Sequence, residues 1–209
     1  MRLILIALTS AIIVAGYFFF EMSPQNPTQQ GQTQQALVGD PNVPIGGDFS
    51  LTLPDGTRLT AEDFKGKPSI YYFGYTWCPD VCPLDLQKLS LALENLEERG
   101  YDLETLNSVF ITIDPERDTP EVMGQYAKSY HPDIVPLSGS VDDIKQVKDA
   151  FRVYAVKDVE GDNVPEDYLV SHSNMMYLMD GNGYYMKHFT DLASYKEIAD
   201  TLAQVLDQQ

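Results

Sequence analysis

Basic residues are scarce in this chain. Lys and Arg total 14 against 31 Asp and Glu, a formal net charge of −17 over 209 residues. No basic patch is available to neutralise a phosphate backbone, which argues against nucleic-acid binding. Such a surface suits cationic partners, basic proteins and metal ions among them, or serves solubility alone. Cysteine is scarcer still, with two in the whole chain. That excludes a disulfide-stapled secreted scaffold and leaves either chemistry or one local bridge. No internal repeat is present, which excludes a repeat array. The 44% hydrophobic content is enough for an ordinary core. The length fits one domain with appendages.

The N-terminus is also informative through what it lacks. No cysteine lies near the end of its apolar run, so it is not a lipoprotein signal, and the Arg- and Ser-rich pattern of a transit peptide is absent. What is present is Leu3 to Phe20, interrupted only by Thr9, Ser10 and Gly16, with Arg2 before it and Glu21 after it. About 18 apolar residues are enough to cross a hydrocarbon core as a helix. Arg2 keeps the start on the cytoplasmic side. The run exceeds the roughly 7–15 apolar residues of a cleaved signal peptide. It ends in Tyr17-Phe18-Phe19-Phe20, a poor cleavage site but a good membrane interface. Residues 1–21 therefore read as a signal anchor in a bacterial inner membrane, with cleavage as the alternative. Residues 22–44 are rich in Pro, Gln, Gly and Asn and read as a flexible linker that cannot bury enough surface to fold. Its mean span is about 25–30 Å by square-root scaling. Residues 45–209 form the folded domain, held close to the membrane on the periplasmic side.

Within that domain, Asp48 to Thr60 alternates Phe49, Leu51 and Leu53 around Pro54-Asp55-Gly56, a hairpin signal. Ser69 to Tyr75 is a continuous apolar and aromatic run, as in a buried central strand. Pro83 opens a helix with a leucine-rich face that stops at Gly100, which makes Cys82 its N-cap. Ser108 to Ile113 is a second buried strand. Thr119 and Pro120 then cap and start a helix that reaches about Tyr130. A short strand at 135–137, a helix over 141–151 and a polar, acidic loop over 157–168 follow. Strands at 174–179 and 184–189 flank the turn Asp180-Gly181-Asn182-Gly183. A helix over 193–206 closes the chain. The order predicts an α/β domain with a central mixed sheet flanked by helices and an added N-terminal hairpin. A thiol pair at the end of the first central strand is the thioredoxin-like arrangement.

The two cysteines, Cys78 and Cys82, stand in Thr76-Trp77-Cys78-Pro79-Asp80-Val81-Cys82-Pro83. The spacing is one residue longer than the usual redox C-x-x-C. At the N-terminus of a helix, unpaired N–H groups and the helix dipole favour thiolate, which lowers the expected pKa of Cys82. Thiolates serve disulfide exchange and metal binding alike. An inert local disulfide or two buried thiols is the remaining reading. Two sulfurs alone hold a transition metal poorly, so a third ligand is wanted. Of three histidines, His131 reads as a surface or C-cap residue and His188 as a half-buried strand residue. His172 precedes the strand at 174–179, where a thioredoxin carries a proline beside its dithiol. From the residues alone it is equally a ligand or an ordinary loop histidine. Asp80 is either a fourth or outer-sphere group, or a cap for backbone N–H groups of its loop.

These blocks resemble the SCO/SenC family. The resemblance rests on Phe73 to Pro83, on Asp114-Pro115-Glu116-Arg117-Asp118-Thr119-Pro120, on Ser171-His172-Ser173 and on Gly46-Gly47-Asp48-Phe49-Ser50-Leu51. They occur in the family's order and cover most of 45–207. The resemblance implies a thioredoxin-like fold, a membrane tether and one copper ion bound by Cys78, Cys82 and His172. It also implies a role in assembling the binuclear copper centre of cytochrome c oxidase. The partners would be the oxidase's copper-bearing subunit and a copper donor protein or thiol reductant. Thiolates select Cu(I), and imidazole serves both copper states.

Three functions compete. A copper chaperone binds and transfers without turnover and needs His172. A thiol-disulfide oxidoreductase that keeps an oxidase subunit's cysteines reduced needs Cys78 and Cys82 alone. A peroxiredoxin-type peroxidase needs an arginine at its cysteine, and the sequence places none near this pair.

Overall fold

The computed structural model describes residues 37–159 and 165–209. The anchor expected at 1–21, the linker up to residue 36 and part of the acidic loop (160–164) lie outside the described residues. Among the described residues, no helix is long and apolar enough to cross a membrane.

Two short strands come first, β1 (Ser50–Thr52) and β2 (Arg58–Thr60), paired antiparallel as the N-terminal hairpin. Gly56 turns the hairpin at φ +86°, a left-handed conformation that glycine adopts without a Cβ penalty. The centre of the domain is β3 (Ser69–Gly74), in which all six residues are buried. A strand so enclosed reads as an unbroken apolar run, which is why the sequence shows it clearly. Helix α1 (Val81–Glu98) follows, then β4 (Asn107–Thr112), α2 (Pro120–Lys128), β5 (Ile134–Leu137) and α3 (Val141–Phe151). After these come β6 (Ala155–Asp158), β7 (Leu169–His172), β8 (Met175–Met179), β9 (Tyr185–Thr190) and α4 (Tyr195–Leu206).

The main sheet has the order β5-β4-β3-β8-β9. β3, β4 and β5 run parallel, while β8 and β9 are antiparallel. This is a thioredoxin-like mixed sheet. Alternate residues of β3 serve opposite faces. Tyr71 and Phe73 pack on Phe151 of α3, with ring centroids 5.0 and 5.1 Å away. Tyr72 turns the other way and stacks on Phe110 of β4 at 5.7 Å. Phe110 in turn meets Tyr126 of α2. Ser90 of α1 donates to the carbonyl of Tyr130 at 2.8 Å, tying α1 to the end of α2.

The starts of α2, α3 and α4 follow capping chemistry closely. Thr119 accepts from the Val122 N–H with Pro120 in the first turn, and Ser140 forms a reciprocal capping box with Asp143. Ser194 caps α4, so that helix begins at Tyr195 instead of Ala193.

Four sequence expectations need correction. The stretch 157–168 is not wholly loop, because β6 and β7 pair across it as a separate two-stranded sheet. Each of these strands has only four residues, too few to show a period. Helix α1 starts at Val81 with Asp80 at the N-cap, which puts Cys82 inside the first turn and Pro83 third. Proline is tolerated there because the first N–H groups of a helix lack intrahelical partners. His131 is buried at 4% exposure, receiving the Asp133 N–H on Nδ1. His188 is exposed, with Nδ1 2.6 Å from the Tyr185 hydroxyl.

Residues 37–44 lie against the domain. The Asp40 N–H donates to the Tyr185 carbonyl at 2.9 Å, and Arg152 donates to the Pro44 carbonyl at 3.2 Å.

Candidate metal centre

Cys78, Cys82 and His172 come together where β3 gives way to α1. Their donor atoms, the two sulfurs and a ring nitrogen, all lie within 4.8 Å of one another. The Nε2 of His172 is 3.4 Å from the Cys82 sulfur. Both cysteines are free thiols and both are buried, Cys82 completely. Cys78 is the outer sulfur and lines a groove of about 530 Å³ together with Trp77, Val122 and Tyr126.

Local packing fixes each group. Cys82 is held from below by Gly74, where a Cβ would come within 3.0 Å of its sulfur. The loop before Cys78 is anchored by Asp118. Its buried carboxylate accepts from the Thr76 N–H at 2.9 Å, the Thr76 hydroxyl at 2.5 Å and the Thr112 hydroxyl at 2.7 Å. Burial raises the Asp118 pKa, and the Thr76 and Thr112 bonds work against that rise.

His172 ends β7, three residues before β8 enters the main sheet. Its Nδ1 is 3.0 Å from the Ser173 carbonyl. A carbonyl only accepts, so Nδ1 donates to it and Nε2 is the ring nitrogen that faces the sulfurs. A second hydrogen bond on the far nitrogen is the usual way a metal-binding histidine is oriented. Tyr75 meets the imidazole edge-on at 5.8 Å between centroids, and its hydroxyl receives the Val170 N–H at 3.1 Å.

The sequence reading assigned the low pKa to Cys82, and the geometry assigns it to Cys78. Cys78 is held well below the ordinary thiol value, first by the Cys82 thiol that donates to it. His172 and the Asp80 and Cys82 N–H groups add to this, against the cost of partial burial. The Cys82 N–H approaches the Cys78 sulfur to 3.4 Å, so the helix N-terminus acts on the outer cysteine. Cys82 is pushed up by donating to Cys78 and by burial. The buried Tyr72 hydroxyl has no partner in good hydrogen-bond geometry, yet it lies near enough to favour the Cys82 thiolate. Ionisation is therefore favoured at Cys78 and opposed at Cys82.

The other expected groups stay apart. The Asp80 side chain is exposed, makes no capping bond and does not join the donor cluster. It contributes its N–H to Cys78 instead. Among the described residues, His131 and His188 belong to no donor cluster. Arg117 stands 5.2 Å from the ring of Trp77, the residue before Cys78. Its Nε and Nη1 are engaged by Asp114 and the Glu166 carbonyl. The fold brings it there from a different loop, which is why sequence distance concealed it.

A thioredoxin-like domain presenting two thiols and one imidazole at a helix start belongs to the proteins that handle soft metal ions or electrons. The SCO1/SenC family matches residues 39–207. The SCO2-like protein of Rickettsia felis is 39% identical over 198 residues, 95% of this chain and 94% of its own. The crystal structure of Arabidopsis thaliana ScoI with copper bound superposes with a TM-score of 0.71 at 39% identity, covering 79% of this chain and 99% of that one. Bradyrhizobium japonicum ScoI with copper bound gives 0.69 at 40% identity, covering 77% and 99%. The chain belongs to the SCO1/SenC family.

Proposed function

We propose that this protein is a membrane-tethered copper carrier that takes one Cu ion on Cys78, Cys82 and His172 and assists assembly of the binuclear copper centre of cytochrome c oxidase. The observation that carries the reading is the convergence of those three donor atoms within 4.8 Å. Two thiolates and an imidazole are the donor set that soft Cu(I) prefers. Two thiolates around Cu(I) leave a net charge of −1, which the N-terminal end of α1 can offset. Relatives crystallised with copper bound support the same choice of metal. Copper is the cargo, so the groove beside Cys78 matters as the route by which a recipient thiolate reaches the ion. The copper-bearing oxidase subunit is the recipient, and a donor protein or a thiol reductant prepares the site. Leu3 to Phe20 supplies the anchor, in a bacterial inner membrane, with the domain in the periplasm.

One observation favours a second reading. A Cys78 that lines the groove, with its thiolate favoured beside a second thiol, is what thiol-disulfide exchange requires. The two uses are compatible, because a closed disulfide cannot bind copper and redox state would gate loading. Cells lacking the gene, complemented with variants, separate the two. Under the copper reading, His172→Ala and Cys78→Ser both abolish oxidase assembly. Full assembly with His172→Ala and none with Cys78→Ser would establish the reductase reading instead.

A further inference from the structure

The three donor groups arrive on two separate pieces of structure. Cys78 and Cys82 belong to the main sheet and its helix. His172 sits on the β6–β7 hairpin, which forms a sheet of its own. Something must hold the two pieces in register, since a misplacement of about 1 Å is enough to spoil a donor site.

One loop touches both. It runs from Ile113 to Thr119, between β4 and α2. On one side, Asp118 grips the Thr76 N–H and hydroxyl, two residues before Cys78. On the other side, three residues of the same loop grip the histidine hairpin. The Tyr168 hydroxyl donates to Asp114 Oδ1 at 2.5 Å. The Arg117 guanidinium carbon sits over the Tyr168 ring, 3.6 Å from its centroid, and its Nη1 donates to the Glu166 carbonyl at 3.2 Å. Lys157 of β6 pairs with Glu116 at 2.5 Å. Arg117 is itself locked by Asp114, which is 1% exposed, at 2.6 Å. The same guanidinium is 5.2 Å from the ring of Trp77, the residue before Cys78. Asp114, Arg117 and Asp118 are thus engaged with the two halves of the donor set without themselves joining it.

We propose that the 113–119 loop is a clamp that sets the distance from His172 to the two sulfurs, with Arg117 as its positioning residue. The inference rests on the copper reading of the site. Arg117 touches the Tyr168 end of the strand that carries His172, and it presents a planar group that lysine cannot reproduce.

The test is a double-mutant cycle on the full-length protein in detergent. Cu(I) affinity is read by competition with a chromogenic chelator for the wild type, Arg117→Ala, His172→Ala and the double variant. The proposal expects Arg117→Ala to weaken binding by about tenfold or more, the usual cost of losing a group that orients a ligand. In the His172→Ala background the same change should cost under about twofold. Arg117→Lys should not rescue. Removing Arg117 leaves Asp114 buried without its ion-pair partner, so Tyr168→Phe, which keeps the ring and loses the donor, serves as the milder variant. It should act in the same direction and should also weaken the nitrogen hyperfine coupling of the Cu(II) form. An equal loss with and without His172, or no loss in folded Tyr168→Phe and Arg117→Ala proteins, overturns the clamp. A His172→Ala protein that binds copper as tightly as wild type overturns the ligand assignment itself, and the single variant reports this separately.

Discussion

Gly74 ends β3 directly beneath the Cys82 sulfur, so replacing it with alanine measures how tightly that sulfur is held. A Cβ there would lie 3.0 Å from Cys82 Sγ, 3.0 Å from the Tyr72 ring and 3.3 Å from the Phe110 ring. Ordinary contacts begin at 3.4 Å, so neighbours on two sides must each give roughly 0.4 Å. None of them has room, since Cys82, Tyr72 and Phe110 are all fully buried. The backbone of Gly74 is in a conformation open to any residue, so strain in φ adds nothing. Overpacking of this kind costs about 1–3 kcal/mol. For a domain of this size, that lowers Tm by about 2–4 °C per kcal/mol. The assay is a urea titration and thermal melt of the reduced, copper-free protein, paired with a Cu(I) competition titration. The reasoning predicts a lower midpoint with unchanged m-value and weaker copper binding, because Cys82 moves away from His172. Unchanged stability together with unchanged copper affinity would refute it.

Other predictions address charge and capping. Because ionisation is opposed at Cys82, copper loading on both thiolates should release protons, and affinity should rise with pH. Calorimetry in buffers of differing ionisation enthalpy checks this, and loading without proton release contradicts it. Asp118→Ala should cost about 1–3 kcal/mol in urea unfolding, because it leaves the part-buried Thr76 donors and the buried Thr112 donor without an acceptor. Since burial raises the folded-state pKa of Asp118, the wild type should gain stability relative to Asp118→Asn as pH falls through that raised value. Arg58 makes a two-pronged contact with Asp143, but it is half exposed, so Arg58→Ala should cost at most about 1 kcal/mol. The Arg58 bond depresses the Asp143 pKa, so this loss should be full above the ordinary carboxylate value and vanish as pH falls through the lowered one. Urea midpoints at several acid pH values report both effects.

Much of the fold was readable because it rests on local signals. β3 is an unbroken apolar run, and the starts of α2 and α3 follow Thr119-Pro120 and Ser140. The β6–β7 sheet was not readable, because two four-residue strands pair across a long polar stretch and neither carries a period. The cysteine pair announced itself by spacing, whereas His172 was ambiguous until residues 90 positions apart met in space. The pKa assignment was inverted for a related reason. Pro83 suggested a later helix start, yet α1 begins at Val81 and directs its N–H groups to Cys78, while Cys82 is buried and donates. Arg117 sat in a noted motif, but only the fold carries it to Trp77 and Tyr168.

The central claim is that Cys78, Cys82 and His172 bind one copper ion together. X-ray absorption on the reduced, Cu(I)-loaded protein tests it directly. The account predicts one copper per chain with two sulfur ligands and one imidazole nitrogen, and loss of the nitrogen in His172→Ala. A sulfur-only coordination shell in the wild type, or an unaltered shell in His172→Ala, would contradict it.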